Sequence, residues 1–250
     1  MRIVQISDCH LFADTGKTGY RDINPYQSLS RVLNKIGPLE PALVIASGDI
    51  SSDSTLESYQ HFSNLWQASN LACKLLVMPG NHDEVSVMQT HFAPQHISLG
   101  GIIGKTDGWQ IHCLNSKFAH STAQETRGQV SKSDLMQLQA AISSAPNVRH
   151  LLAVHHHPID CGGWMDKHEW TNRQEFVDVV AAAPQIKGVI YGHIHHASEQ
   201  QRGECLYMSC PSSCWQWAVQ TNFSPSEGSP GFRLIELKPS GELSSQVIRV

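Results

Sequence analysis

Residues 189–195 read Val-Ile-Tyr-Gly-His-Ile-His, an apolar run that ends in a glycine and two alternating histidines. A short apolar run bounded by a turn residue is typical of a buried β-strand. Side chains at alternate positions beyond such a strand can point the same way. We therefore expect His193 and His195 to project together from the carboxyl end of a strand.

The same arrangement occurs four more times along the chain. The apolar runs cover residues 3–6, 43–46, 75–78 and 151–154, and they precede Ser7-Asp8, Gly48-Asp49, Gly80-Asn81-His82 and His155. In α/β sheets, ligands bind at the carboxyl ends of the strands, where the loops converge. We expect all five groups of polar residues to meet in one site.

Helical patterns alternate with these predicted strands. Apolar residues recur at intervals of three and four over residues 29–36, 56–66 and 135–142, as in amphipathic helices. Ser131 and Asp134 have the spacing of a capping box before the third segment. Further strands are predicted at 206–210, 232–237 and 243–250, with an irregular loop over 220–231. The alternation predicts a layered α/β fold, in one domain of residues 1–250.

Composition narrows the function classes. The net charge is −4 with scattered Lys and Arg, so we expect no long nucleic acid as partner. The N-terminus lacks a signal-peptide pattern and no run has transmembrane length, which predicts a cytoplasmic protein that does not act at a membrane. The odd count of 7 cysteines predicts reduced thiols rather than a disulfide framework. The sequence does not specify an oligomeric state.

Histidines are abundant, at 15 in the chain, and they bunch at residues 155–157 and 193–196. Such a density of imidazole suggests a metal site. The remaining histidines have no partner motif, and we expect them to be surface or core residues; they include His61, His91, His112, His120, His150 and His168.

A hydrolytic site with two metal ions needs oxygen and nitrogen ligands and an oxygen that can bridge the ions. Asp8 and His10 form an Asp-x-His pair, and Asp49 supplies a carboxylate that can bridge. Asn81 offers a neutral carbonyl oxygen, while His82 can stay off the metal for proton chemistry.

The His155-His156-His157 run leaves the fourth strand end ambiguous. We assign the ligand to His155 because it lies nearest the predicted strand. His156 is the main rival, and His157 is expected to pack or to face the substrate.

The ordered blocks Asp-x-His, Gly-Asp, Gly-Asn-His, His and Gly-His-x-His resemble the calcineurin-like metallophosphoesterase family. The resemblance is closer to the bacterial class III 3',5'-cyclic AMP phosphodiesterases and spans Arg2 to Val250. It rests on these stretches: residues 8–14, 155–158, 164–166, 211–214 and 230–233. Trp215-Gln216-Trp217 departs from the pattern, since that family more often has Gln followed by Phe.

The resemblance implies the metallophosphoesterase fold, a four-layer α/β/β/α sandwich of two mixed sheets. It implies one metal ion on Asp8, His10, Asp49 and His195, and a second on Asp49, Asn81, His155 and His193. Fe with Mn is implied as the metal pair, and the absence of thiolate ligands also allows Zn.

By the same resemblance, the protein hydrolyses 3',5'-cyclic AMP to 5'-AMP. The expected nucleophile is a hydroxide that bridges the two metal ions. His82 and Asp49 are the expected catalytic residues, with His82 protonating the leaving ribose oxygen or stabilising the phosphoryl charge. Asp53 or Asp83 is expected to orient His82. Four residues are expected to border the substrate: His10, Asn81, His82 and His195.

Two alternatives remain open from the sequence. The same chemistry could act on another phosphodiester, such as a 2',3'-cyclic nucleotide, on a nucleoside diphosphate derivative or on a phosphomonoester. An inactive scaffold that binds a protein partner is the other alternative, although a scaffold does not need a complete ligand set together with His82.

Overall fold

The structure is a computed structural model that describes residues 1–106, 108–118 and 125–250. The strands in this part of the chain are β1 (Arg2–Ile6), β2 (Leu43–Ser47), β3 (Lys74–Met78), β4 (Gly100–Thr106), β5 (Trp109–Leu114), β6 (Arg149–Ala153), β7 (Ile186–Tyr191), β8 (Ser198–Arg202), β9 (Cys205–Ser209), β10 (Gln216–Trp217), β11 (Pro225–Ser226), β12 (Gly231–Leu237) and β13 (Leu243–Arg249). The helices are α1 (Pro25–Ile36), α2 (Leu56–Ala68), α3 (Val85–His91), α4 (Lys132–Ser143) and α5 (Arg173–Ala182).

The strands build two large mixed sheets. The first has the order β13-β12-β1-β2-β3, with β1, β2 and β3 parallel and β12 and β13 antiparallel to their neighbours. The second has the order β4-β5-β6-β7-β9-β8, parallel from β5 to β9 and antiparallel at both edges. β10 and β11 pair separately as a short antiparallel ribbon.

Both faces of the central strands are buried, which explains their continuous apolar runs. Ile3 of β1 packs in a core between the two sheets, together with residues of the second sheet such as Leu151 and Ile190. Its neighbour Val4 points the opposite way, into a core with helices α1 and α2. A third core lies between the second sheet and helices α4 and α5. The layers are therefore α/β/β/α, which confirms the predicted fold.

The three predicted helices are present as α1, α2 and α4. The Ser131 hydroxyl caps α4 by accepting a hydrogen bond from the Asp134 N–H at 3.0 Å. The prediction of an irregular loop over 220–231 was wrong in part, because Pro225–Ser226 forms β11 against β10. Helices α3 and α5 lack a long apolar stripe and were not predicted.

All seven cysteines lie in the described segments and are unpaired. None of the helices in those segments is long and apolar enough to cross a membrane.

Candidate metal centre

The predicted strand ends converge through backbone turns of unusual conformation. The residues with positive φ at these turns are Asp8 (53°), His10 (49°), Asp49 (51°), His193 (70°) and His195 (45°). Positive φ is uncommon for residues with a Cβ atom, although Asp and His adopt it more readily than most. Each turn directs polar side chains across the end of its strand.

Two glycines allow the turns to pack against one another. A Cβ atom on Gly192 would lie 1.9 Å from the Ser7 Oγ, and one on Gly80 would lie 2.4 Å from the Asp49 backbone nitrogen. Such distances leave no room for any side chain, so the Gly-His and Gly-Asn pairs of the sequence are required by the close approach of two loops.

One half of the site gathers around Asp8. The His193 N–H donates to both carboxylate oxygens of Asp8 at 3.1 Å. The His195 Nε2 lies 3.5 Å from Asp8 Oδ1, and the His10 Nε2 lies 3.0 Å from the His195 Nε2. The ligand atoms of Asp8, His10 and His195 fall within 4.8 Å of one another.

The other half gathers around Asp49. The His155 Nε2 lies 3.4 Å from Asp49 Oδ2 and 3.2 Å from Asn81 Oδ1. Asp49, His155 and His193 form a second group with ligand atoms within 4.8 Å. Asp49 Oδ2 is also 3.7 Å from the His10 Nε2, so this carboxylate stands between the two halves.

Backbone carbonyls fix the orientation of two imidazoles. The His155 Nδ1 is 2.8 Å from the Ser47 carbonyl, and the His195 Nδ1 is 2.9 Å from the Trp215 carbonyl. A carbonyl can only accept, so each Nδ1 carries the proton and donates. In the neutral ring the Nε2 lone pair is then free and faces the centre, as in metal-binding histidines.

The centre is a buried cluster of ionisable groups whose opposite charges stabilise one another. Burial raises the pKa of the Asp8 carboxyl to about 7, and the nearby Asp49 adds to this effect. Burial is the largest single influence on Asp49 and opposes its ionisation, but the charges on His155, His82 and His10 and a hydrogen bond with His155 together outweigh burial and hold the pKa of Asp49 well below its usual value. Against its own burial, His155 has its pKa raised to about 9 by Asp49 and Asp8. Cations would supply the positive charge that these carboxylates lack when the imidazoles are neutral.

His82 sits at the rim of the centre. Its backbone N–H donates to Asp49 Oδ1 at 2.8 Å, and its half-buried ring meets the His10 ring edge-on at 4.9 Å between centroids. Its ring also groups with His10 and Asp49 within 4.8 Å. The ring is therefore close enough to act on a bound substrate and close enough to reach a metal ion.

The expected partners of His82 are bonded elsewhere. The Asp53 carboxylate accepts hydrogen bonds from the Ala13 N–H at 2.8 Å and the Thr55 hydroxyl at 2.7 Å. Asp83 accepts from backbone N–H groups that include Gly80 at 2.8 Å and Ser51 at 3.0 Å. Both carboxylates accept hydrogen bonds from backbone N–H groups, and in the described chain neither is hydrogen-bonded to the His82 imidazole. The prediction that Asp53 or Asp83 orients His82 was therefore wrong. Asp83 instead ties the turns after β2 and β3 together.

The three histidines that follow β6 make different contacts. Its first member groups with Asp49, whereas the His156 Nδ1 pairs with the Ser116 hydroxyl at 2.9 Å. The His157 ring stacks on His193 at 5.5 Å between centroids. The geometry favours His155 over His156 as the residue that could hold a metal ion.

His168 was not expected at the site, yet its Nδ1 lies 3.1 Å from the His193 Nε2. It lines a cavity of about 480 Å³ that opens beside the centre. The same cavity is lined by aromatic residues that were not predicted to lie at the site: Phe12, Tyr20, Trp164, Trp217 and Phe223. These residues come from separate segments of the chain, so no local pattern could have grouped them. His120 lies outside the described residues.

Comparison with known proteins identifies the family. Residues 1–197 match the pattern of the family described as calcineurin-like phosphoesterase. The chain belongs to this family. A 3',5'-cyclic adenosine monophosphate phosphodiesterase CpdA from Pseudomonas aeruginosa is 33% identical over 252 residues, covering 99% of this chain and 89% of the relative. The CpdA of Escherichia coli K12 is 32% identical, covering 100% of this chain and 90% of the relative.

A solved structure shares the fold of the family. The dimetal phosphatase from Danio rerio superposes with a TM-score of 0.68 at 11% sequence identity, covering 100% of this chain and 98% of that one.

The residues fit the two divalent ions that the calcineurin-like phosphoesterase family implies. The donors are carboxylate oxygens, an amide oxygen and imidazole nitrogens, the set that suits Mn, Fe and Zn. Two imidazole nitrogens that bind one ion at about 2.0–2.1 Å each can be at most about 4.2 Å apart. The Nε2 atoms of His10 and His195, at 3.0 Å, lie within that limit. The cluster and the family together support two divalent ions.

Proposed function

We propose that this calcineurin-like phosphoesterase is a metal-dependent phosphodiesterase that hydrolyses 3',5'-cyclic AMP to 5'-AMP. The observation that carries the proposal is one carboxylate, Asp49, standing between two groups of ligand atoms. The substrate assignment is supported by relatives named as cyclic AMP phosphodiesterases that align with the whole chain.

We assign the ligands as two overlapping sets. One ion would be held by Asp8, His10, Asp49 and His195, and the other by Asp49, Asn81, His155 and His193. When bound, the ions would polarise the phosphoryl group and lower the pKa of a bound water toward neutrality, so that hydroxide is available as the nucleophile. Fe with Mn is the proposed pair. Seven unpaired cysteines support a cytoplasmic location.

The chain contributes positioning and proton transfer. The carbonyls of Ser47 and Trp215 hold His155 and His195 in the tautomer that presents Nε2 to the centre. This fixed arrangement avoids reorganisation as charge develops on the phosphoryl oxygens.

His82 is proposed as the proton donor. In the overall reaction the oxygen of water bonds to phosphorus, the bond from phosphorus to the ribose O3' breaks, and O3' takes up a proton. The position of His82 at the rim, anchored through its N–H to Asp49, supports its assignment to that last step.

A steady-state panel tests the proposal. With Mn present, kcat/KM is compared for 3',5'-cyclic AMP, 2',3'-cyclic AMP, bis(4-nitrophenyl) phosphate and 5'-AMP. We expect the highest value for 3',5'-cyclic AMP. Asp49→Asn should lose activity on every diester, while the control Asp178→Asn, on the exposed side of α5, should match the wild type. A higher kcat/KM for 5'-AMP or for the 2',3' isomer would refute the substrate assignment.

A further inference from the structure

Four aromatic side chains form one wall of the cavity beside the metal centre, and we call Tyr20, Trp164, Trp217 and Phe223 the aromatic wall. The Tyr20 and Trp217 ring centroids are 4.7 Å apart, and those of Trp217 and Phe223 are 5.3 Å apart. Trp164 meets Phe223 at 5.0 Å. The rings cross at angles of 59° to 82°, the edge-to-face packing that aromatic groups prefer.

The aromatic wall is partly open to solvent. Tyr20 is 46% exposed and Phe223 is 51% exposed. Exposing two large aromatic rings side by side loses the free energy of burying them, and adjacent exposed apolar rings commonly mark a binding surface. The indole N–H of Trp164 is buried and has no hydrogen-bond partner among the described residues. The wall thus combines free ring surface with an unused donor.

Main-chain hydrogen bonds hold the wall in place. The backbone N–H of Trp164 donates to the Gln220 carbonyl at 2.7 Å, and the backbone N–H of Ala218 donates to the Ser224 carbonyl at 2.9 Å. The Trp217 N–H donates to the His195 carbonyl at 3.1 Å. The wall is therefore attached to the backbone of the metal centre.

The wall begins where the proposed phosphate site ends. The Trp217 ring stacks on the His195 ring, with centroids 4.9 Å apart and an angle of 22°. On the far side, Trp164 meets His168 edge-on at 5.6 Å. A substrate whose phosphoryl group lies at the metal centre would place a planar ring attached beyond that group against the aromatic wall.

We propose that the aromatic wall binds the purine base of the cyclic nucleotide by stacking, an inference that rests on the proposed function. The ionisable residues that line the cavity in the described chain belong to the metal centre or its rim, apart from Tyr20. No carboxylate or guanidinium there is placed to distinguish the edge of guanine from that of adenine. The wall therefore selects by ring area, favouring purines over pyrimidines and discriminating weakly between adenine and guanine.

The test compares a substrate that has the base with one that lacks it. Phe223→Ala and Tyr20→Ala are assayed on 3',5'-cyclic AMP and on the 3',5'-cyclic phosphate of 1-O-methylribose. Stacked bases are sensitive to alanine substitution, so we expect kcat/KM for cyclic AMP to fall by about 5- to 30-fold through KM. The baseless substrate should be hydrolysed as by the wild type. Tyr20→Phe, which keeps the ring, should retain activity on both.

Val219→Ala is the matched control, since Val219 is 43% exposed in the same loop as Phe223 but does not line the cavity. Equal losses on both substrates, or no loss on cyclic AMP, would overturn the wall as a base site while leaving the proposed function intact. A wild-type protein that hydrolyses other diesters but neither cyclic phosphate would overturn the proposed function and this inference together. Thermal unfolding of each variant confirms that it is folded.

Discussion

The Nε2 atoms of His10 and His195 lie 3.0 Å apart, although the two residues are 185 positions apart in the sequence. The His195 Nδ1 donates to a carbonyl, so in its neutral form the Nε2 of His195 can only accept. A proton on the His10 Nε2 satisfies this contact in the metal-free protein. When a cation binds that nitrogen, the neutral imidazole carries its proton on Nδ1, which lies 3.2 Å from the Ser52 hydroxyl oxygen.

Removal of metal should abolish hydrolysis, because the proposed nucleophile and the neutralising charge both depend on the ions. After treatment with a strong chelator we expect no turnover of 3',5'-cyclic AMP, and recovery when Mn or Fe is added. Metal at about 100 times its Kd should also stabilise the fold by about 2.7 kcal/mol, visible as a raised Tm. Full activity in protein shown by elemental analysis to be free of metal would contradict the mechanism.

Asp49 should matter more for metal content than Asn81. Its carboxylate approaches ligand atoms of both halves, whereas the hydrogen bond of the Asn81 Oδ1 within the proposed ligand set of the described chain is to His155. We expect Asp49→Ala to lose both metal ions and Asn81→Ala to lose only part of one. Elemental analysis after desalting measures the difference, and equal near-complete occupancy in both variants would rule out the bridging role.

His82→Ala should retain both metal ions and lose activity in a way that depends on the leaving group. General acid catalysis contributes about 10²–10⁴-fold, so that loss is expected on 3',5'-cyclic AMP, whose ribose oxygen leaves reluctantly. Bis(4-nitrophenyl) phosphate needs little proton assistance and should lose much less.

Two variants serve as controls for the His82 experiment. Asp8→Ala should impair both substrates alike, because it disrupts the metal centre. His61→Ala, at a comparably half-buried histidine of α2, should impair neither. Equal slowing of both substrates by His82→Ala with full metal content would replace the proton-donor role with phosphoryl charge stabilisation. Loss of metal in that variant would make His82 a ligand.

Acid should destabilise the protein partly through a buried histidine pair that does not belong to the metal centre or line its cavity. The His112 Nε2 lies 2.8 Å from the His150 Nδ1, and burial, followed by the charge on His150, lowers the pKa of His112 to about 4. The unfolded chain, with a histidine pKa of about 6.5, binds more protons between those values. The stabilising contribution is thus complete above pH 6.5 and is lost as the pH falls toward 4.

His112→Gln removes this titration and should flatten the pH profile of stability. Between pH 7 and 4 the wild type should lose about 1–2 kcal/mol more unfolding free energy than the variant. Urea unfolding of metal-free protein at each pH measures the difference, and His61→Gln serves as control. Parallel profiles for wild type and His112→Gln would show that the pair does not titrate on unfolding.

The sequence predicted those features whose cause is local. Strand ends such as Val189 to His195 combine an apolar run, a turn and ligands within a few residues, so both the element and its chemistry could be recognised. The contact of His168 with His193 depends on how the loop after β6 folds back, and no spacing encodes it. The expected contact of Asp53 with His82 was wrong for the same reason. No sequence pattern indicates that the Asp53 carboxylate accepts a hydrogen bond from the distant Ala13 N–H.

The position of β1 has a consequence for how the protein is made. This strand carries Asp8 and His10 at its end, and it is paired on one side by β12, with Arg2 opposite Glu236. The segment before β12 also holds the turn after β1, since the Ser212 hydroxyl donates to the Asp8 carbonyl at 2.9 Å. Contacts between such distant residues form slowly. We therefore expect that a nascent chain emerging from the ribosome does not hydrolyse substrate until the segment around β12 has been translated and has paired with the first strand.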